Sequence, residues 1–583
     1  MGSRARKRAA NWYMPTNPRP VRNLRRPTIP TPHVSALVSL AATLVLTTSD
    51  LTAATTTTIN AKSASQSDVA AAIASAADGD TVTIPAGRTS WTRTLGVTKG
   101  ITIQGAGVGA TIIKDSVQSG QLIQWTLPAR YPSRLTGIEF QDGGRVNTID
   151  APGGILHVDG SNTNGSTFRF DHCKWNNLNG ATVFDTVIGV IDHNTFVMDR
   201  FGCAIYPYGS HWDGQNYGDG SWHAPTNYGS SQFLFIEDNT FTHSQHNLRG
   251  MIDAYAGARF VVRYNTIFNS LITNHGTEST GRTRGCRAME IYNNNFDGTN
   301  LNSQLGGSRS GGTLFHDNTI SGYSGNLAAF DLQNYRNIYP FQPWGGADGT
   351  NAWDVNEPTV FFTGKAAANS SGASVTISGA NWTANQWAGY TLRRTTDICN
   401  SGSLNFGWIV SNTSKTISYA SNPGYPTPPS MSFCTGDSLE IRKIDHALDQ
   451  PGRARGSLIA GDSPVRPGGW NDQVTEPCYS WNNTNEVNGQ VNFSAGPSVR
   501  ANVHYFNNTP MPGYTPYTYP HPLVSGNPPP SPMSSSRPTT RTSLRTPWGG
   551  WKQKEKKGVT RPRRKAKEKP ASGVAEGAEN LGN

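Results

Sequence analysis

The sequence predicts an all-β, turn-rich solenoid, and two observations carry that prediction. Glycine is abundant, at 62 of 583 residues, while helical periodicity is scarce. Short apolar strands ending in asparagine also recur: Val190 to Asn194, Phe235 to Asn239, Val261 to Asn265, Glu290 to Asn294 and Leu314 to Asn318. Phe168 to Cys173 is a degenerate earlier copy, and Asn483 and Asn508 close late ones. Successive anchors are separated by 21, 45, 26, 29 and 24 residues from Cys173 to Asn318, and by 25 from Asn483 to Asn508. A coil of about 20–30 residues is the period of a solenoid. Asparagine at a tight bend can pair its amide with the equivalent residue above and below, so these asparagines are expected to be structural.

Each element follows in order. Residues 1–54 read as a targeting segment: a basic, Pro-rich start, the apolar run Val34–Leu46, then small residues. The run is too short to span a bilayer comfortably, so a secreted protein with no membrane contact after signal removal is expected. Ser65–Ala77 predicts a short amphipathic helix, with Asp68 near its start and Val69, Ile73 and Ala77 on one face. Two β runs ended by glycine follow, Asp78–Gly87 and Gly100–Gly107. A helix followed by GDTVTIPAG and KGITIQGAG resembles the N-terminal cap and first turns of the pectin-lyase-like superfamily. The resemblance implies a right-handed parallel β-helix whose open apolar end is covered by the helix. It also implies a carbohydrate ligand, since members are polysaccharide lyases, glycoside hydrolases or phage and surface adhesion proteins.

The main coils are expected over 64–345. Residues 346–445 carry short alternating strands with Gly/Pro turns and read as a small inserted β subdomain. Residues 446–525 return the chain to the final coils. Residues 526–583 are Pro/Ser-rich, then Lys/Arg-rich, and cannot bury a core. The net charge of +11 lies in the two tails, which carry +8 and +9, so the body is mildly acidic at −6. That distribution argues against nucleic acid as a partner and leaves a monomer acting on polysaccharide as the expectation. Of six cysteines, Cys399 and Cys434 flank one loop-rich region and form the expected disulfide. Cys173, Cys203 and Cys286 read equally well as buried thiols or bridges.

The candidate chemistry gathers on three adjoining coils. His275, Glu278, Arg284 and Asp253 are the expected catalytic set. Arg249, Tyr255, Arg282, Arg287 and Arg309 are expected to bind substrate, because guanidinium pairs bidentately with a uronate carboxylate. Trp212 and Trp222 belong to the aromatic insert Tyr206–Ser230, which suits stacking on sugar rings. The leading reading is β-elimination on an acidic glycan. It needs a neutralised carboxylate, a base for the C5 proton and an acid for the leaving oxygen. His275 is the base near neutral pH, assisted by Tyr255 or an arginine. A hydrolase would instead need two carboxyl groups, Asp253 with Glu278 or Glu290, and a binding-only glycan adhesin needs neither. The residues single out no cofactor with certainty and leave the metal open, with Ca²⁺ the candidate, since stacked Asp and Glu could build a site for it.

Overall fold

The computed structural model describes residues 56–526 apart from 202–203, 245–249, 278–281, 299–304, 323–329, 338–340, 342, 371, 404, 421–430, 454–472 and 486–488. The predicted targeting segment, Cys203 and the tail beyond Gly526 therefore lie outside the described residues.

Each coil contributes one strand to each of three long sheets. Among the described residues, these sheets hold 12, 11 and 10 strands, and all but one pairing within them is parallel. Within a coil the chain runs through the first sheet, turns sharply into the second, and crosses to the third. Arg259–Arg263, Thr266–Phe268 and Ile272–Asn274 are one such set. Apolar side chains from all three sheets fill the interior, including Phe170, Phe196, Ile236, Phe241, Phe260 and Ile291. Phe196 and Phe241 stack at 4.8 Å, one rung apart.

The recurring asparagines are the corner between the first and second sheets. From Asn194 to Asn483 each is buried, and from Asn239 on its Oδ1 accepts from the backbone N–H and the Nδ2 of the asparagine in the preceding rung; Asn508, expected as a further anchor, is exposed instead. Asn265 accepts at 2.9 and 3.1 Å from Asn239, and Asn294 at 3.1 and 3.0 Å from Asn265. Each Nδ2 also donates to a carbonyl, as from Asn265 to Ile236 at 2.9 Å. The residue before each anchor takes a left-handed backbone, with φ of 49–56° at His172, His193, Asp238, Tyr264, Asn293, Asp317 and Asn482. A bend so sharp leaves amides inside, and the side-chain ladder satisfies them. The ladder runs directly from Asn318 to Asn483, 165 residues apart in sequence, so the inserted chain between them leaves the stack unbroken.

Gln66–Ser75 forms the capping helix, with Ser65 accepting from the Asp68 amide and Val69, Ala72 and Ile73 buried. Ala77, expected on that face, is exposed beyond the helix end, and Ala76 is buried instead. The Lys99 ammonium closes the C-terminus by donating to the Ile73 and Ala74 carbonyls.

Two departures from a plain stack matter for the site. An antiparallel six-stranded sheet, Phe362–Lys365 to Ser438–Arg442, has its own core of Val375, Leu392, Ile409, Ile417 and Ile441. It carries the Cys399–Cys434 disulfide, while Cys173, Cys286 and Cys478 are buried free thiols. After Asn508 the chain leaves the coils and runs back along the outer face of the first sheet as a strap. Tyr514 donates to Glu290 at 2.5 Å, Tyr519 stacks on Tyr264 at 3.7 Å, and the His521 amide donates to Glu237 at 2.7 Å. At its far end, the Arg169 guanidinium reaches the Leu523 carbonyl at 3.1 Å.

Candidate functional site

In a strand of the third sheet, alternate side chains face outward. The register aligns Asp253, Thr273, Gly307 and Asp331 in one outward row. Two residues on, Tyr255, His275, Arg309 and Gln333 continue a second row. Stacking thus brings Asp253 and Tyr255, His275, and Arg309 together from three consecutive coils.

His275 stands at the centre and is 28% exposed. Its Nε2 lies 2.7 Å from Asp253 Oδ2, and its Nδ1 lies 3.1 Å from the Arg309 guanidinium. Arginine can only donate, so Nδ1 accepts, and in the neutral ring the proton sits on Nε2 and is given to Asp253. Thr273 Oγ1 donates to the other Asp253 oxygen at 3.2 Å. The Tyr255 ring meets His275 edge-on at 5.7 Å, and Tyr208 meets Tyr255 likewise at 5.5 Å. The Arg309 guanidinium lies 4.4 Å over the Tyr335 ring. A polar layer just inside fixes these positions. Asn274 Oδ1 accepts from the Arg309 amide at 2.8 Å, and its Nδ2 donates to Ser308 Oγ at 3.0 Å. Ser310 Oγ donates to the His275 and Cys286 carbonyls at 2.8 and 2.9 Å.

The other expected arginines lie elsewhere. Arg284 is fully buried, bidentate to Asp449 at 2.7 and 2.6 Å and in contact with Asp219 at 3.2 Å. Arg282 pairs with Asp219, and the buried Arg287 with Glu476 at 3.1 Å. Trp222 is also fully buried: its indole N–H donates to the Gly285 carbonyl at 2.9 Å, and Arg284 and Arg287 lie 5.3 and 5.2 Å from its ring. Trp212 is buried beneath Arg259, at 4.6 Å. Arg284, Arg287, Trp212 and Trp222 therefore cannot line an open groove. The aromatic insert folds onto the loop after His275, and these arginines lock it there. Glu290 is buried on the first sheet, a different face from Asp253, so the two cannot flank one glycosidic bond. It accepts from Tyr514 and from the Gly229 amide at 2.9 Å. Glu278 and Arg249 lie outside the described residues.

Tyr208, Thr273, Asn274, Gln333 and Tyr335 were not singled out from sequence. Their shared phase is hidden because the loop between the second and third sheets varies: Asn265 and Thr273 are 8 residues apart, Asn294 and Gly307 are 13. Among the described residues, Asp171, His172 and Asp192 form a group with metal-ligand spacing. It lies on the first sheet, and its carboxylates are engaged by Arg134 and Arg169 at 2.6 and 2.7 Å, which leaves little for a cation.

No family model and no curated protein sequence matches the chain. Solved structures do, at low identity. The PL6 family alginate lyase AlyGC is 15% identical, with TM-score 0.29; the match covers 47% of this chain and 40% of that enzyme's length. An alginate lyase from Paenibacillus sp. is 13% identical over 47% of this chain and 90% of that one, with TM-score 0.27. A tailspike protein of E. coli bacteriophage HK620, in complex with a pentasaccharide, is 11% identical over 65% and 89%, with TM-score 0.25. The three parallel sheets, the capping helix and the buried asparagine ladder give this chain a right-handed parallel β-helix fold.

Proposed function

We propose that the chain is an exported polysaccharide lyase that cleaves a uronic-acid glycan by β-elimination on the outer face of the third sheet. The observation that carries this reading is His275 held between Asp253 and Arg309 in a partly open row. In the proposed step the uronate carboxylate pairs with Arg309 and draws its guanidinium away from His275 Nδ1. That frees the Nδ1 lone pair to take the C5 proton. The C4–O4 bond breaks as the C4=C5 bond forms, and the Tyr255 hydroxyl protonates the departing oxygen. Asp253 stabilises the imidazolium through Nε2–H. Export is supported by the Cys399–Cys434 disulfide, a bond kept in oxidising compartments.

The test is incubation with a panel of uronic-acid polysaccharides. New ultraviolet absorbance from an unsaturated uronide is expected, with H275A and R309A each lowering the rate by about 10²-fold or more. Reducing ends without that absorbance would make the protein a hydrolase. Tight binding with neither product would make it a glycan adhesin. Full turnover by H275A would remove His275 from the chemistry.

A further inference from the structure

On the outer face of the third sheet, the carboxylates of Asp159, Asp185, Asp253 and Asp331 share two register rows with a single guanidinium, Arg309, and with His157, whose Nε2 lies 2.9 Å from Asp159. Along the outward row of Arg309, the register sets His275, Tyr255, Tyr208, Asp185 and Asp159 on successive preceding rungs. On the parallel row, Asp331 sits one rung beyond Arg309 and Asp253 two rungs before it. Asp159 is 36% exposed, and Asp185 and Asp253 are partly exposed. Among the described residues of these two rows, from Gly96 to Gly496, Arg309 is the one arginine or lysine.

Rungs repeat every ~4.8 Å, close to the advance of a glycan chain per sugar. A chain lying along the stack therefore meets about one rung per residue. If every sugar bore a carboxylate, one would find Arg309 and others would fall beside Asp331, Asp253, Asp185 or Asp159. Resting on the β-elimination reading, we infer that the substrate is a heteroglycan in which a uronic acid alternates with uncharged sugars, and that Asp159 and Asp185 select against homopolyuronides. The uronate sits at Arg309, and the hydroxyl groups of neutral sugars meet the acidic rungs, where carboxylates accept their hydrogen bonds. Tyr208 and Tyr255 offer ring faces and edges between the two charge regions.

The experiment compares two polymers of matched length, polygalacturonate and unsulfated chondroitin, for both binding and release of unsaturated uronide. Measurements run in 20 mM and 300 mM salt without divalent cations. At low salt the alternating polymer should bind at least about five-fold more tightly, the worth of one carboxylate–carboxylate encounter near 4 Å in water. High salt should shrink the ratio, because the screening length falls to several ångströms. Asp159→Asn should tighten polygalacturonate by a few-fold and should not tighten the alternating polymer, which loses a carboxylate acceptor there. Equal or tighter binding of polygalacturonate at low salt overturns the inference, as does binding of neither polymer. The absorbance separates the two claims: a binding preference without unsaturated product upholds the specificity and sinks the lyase reading.

Discussion

Arg284 gives both sides of its guanidinium to Asp449 and Asp219, with no solvent contact. Arg309 sits at an outward position, with one guanidinium N–H on His275 Nδ1 and its face on Tyr335. The two residues were read from sequence as parts of one cluster, and their surroundings separate them. Removing Arg284 leaves the buried Asp449 carboxylate without its cation and Asp219 with Arg282 alone, so Arg284→Ala should cost about 3–5 kcal/mol in chemical denaturation. Arg309→Ala should cost under about 1 kcal/mol in the same assay while lowering turnover by about 10²-fold or more. A strongly destabilised R309A would mean that its role is structural. Asp253→Asn offers a finer check. It preserves shape but turns an acceptor of the Nε2 proton into a weaker, neutral partner. Turnover should fall with little change in stability.

At the scale of elements, the strap and the aromatic insert explain why so many charges are buried. The outer face of the first sheet carries Asp171, Asp192, Glu237, Arg263, Tyr292, His316 and Trp481 in one register row. Left bare, this row would be an ordinary polar surface. The strap covers much of it and supplies partners to Glu237 and Arg263. Arg263 pairs with Glu237 and donates to the Tyr517 and Thr518 carbonyls. Glu290 is the sensitive point. Burial pushes its carboxyl up to about 7, against hydrogen bonds from Tyr514 and Gly229 and the charge of Arg263, which favour the anion. A carboxyl with a raised native pKa holds its proton in the folded state after the unfolded chain has lost it near pH 4.5. Its contribution to stability therefore falls as pH rises from about 4.5 to 7, by about 3 kcal/mol. Glu290→Gln should flatten that stretch of the stability profile. An unchanged slope in urea titrations at pH 5, 6 and 7 would refute the assignment.

Over the whole molecule, two cores coexist. The β-helix core runs unbroken past the insertion, and the antiparallel subdomain has a separate cluster around Leu392 and Ile409. Its disulfide closes a loop of 35 residues. Cross-linking a loop of that length stabilises by about 4 kcal/mol in the chain-entropy model. Reduction under native conditions should therefore lower the melting of the subdomain and leave the β-helix transition where it was. A calorimetric scan with and without reductant would show this as movement of one peak. Coincident movement of both would mean that the two cores unfold as one. Among the described residues, no helix is long and apolar enough to cross a membrane.

The repeat and its asparagine anchors were legible because solenoid architecture writes one coil after another into the chain. The same periodicity made the Asn anchors readable as scaffold, and Asn265 and Asn294 are inside the ladder. The capping helix, the inserted β region and the Cys399–Cys434 pair also have local signals: an N-cap, alternating strands, and two cysteines around one loop. The site was legible only in part. His275, Asp253, Tyr255 and Arg309 were named from their types, but Arg284, Arg287, Trp212 and Trp222 were named with them and are buried. Nothing local separates the two groups. Whether a side chain points out of the third sheet or into the packed insert depends on strand phase, and the variable distance from anchor to third sheet, 8 residues from Asn265 to Thr273 and 13 from Asn294 to Gly307, erases that phase from the sequence. So the sequence by itself determined the coil, its period, its cap and the chemistry of its anchors, because those are set by neighbours along the chain. Only the tertiary structure decided which charged groups reach solvent, because that is set by what stacks above, below and over them.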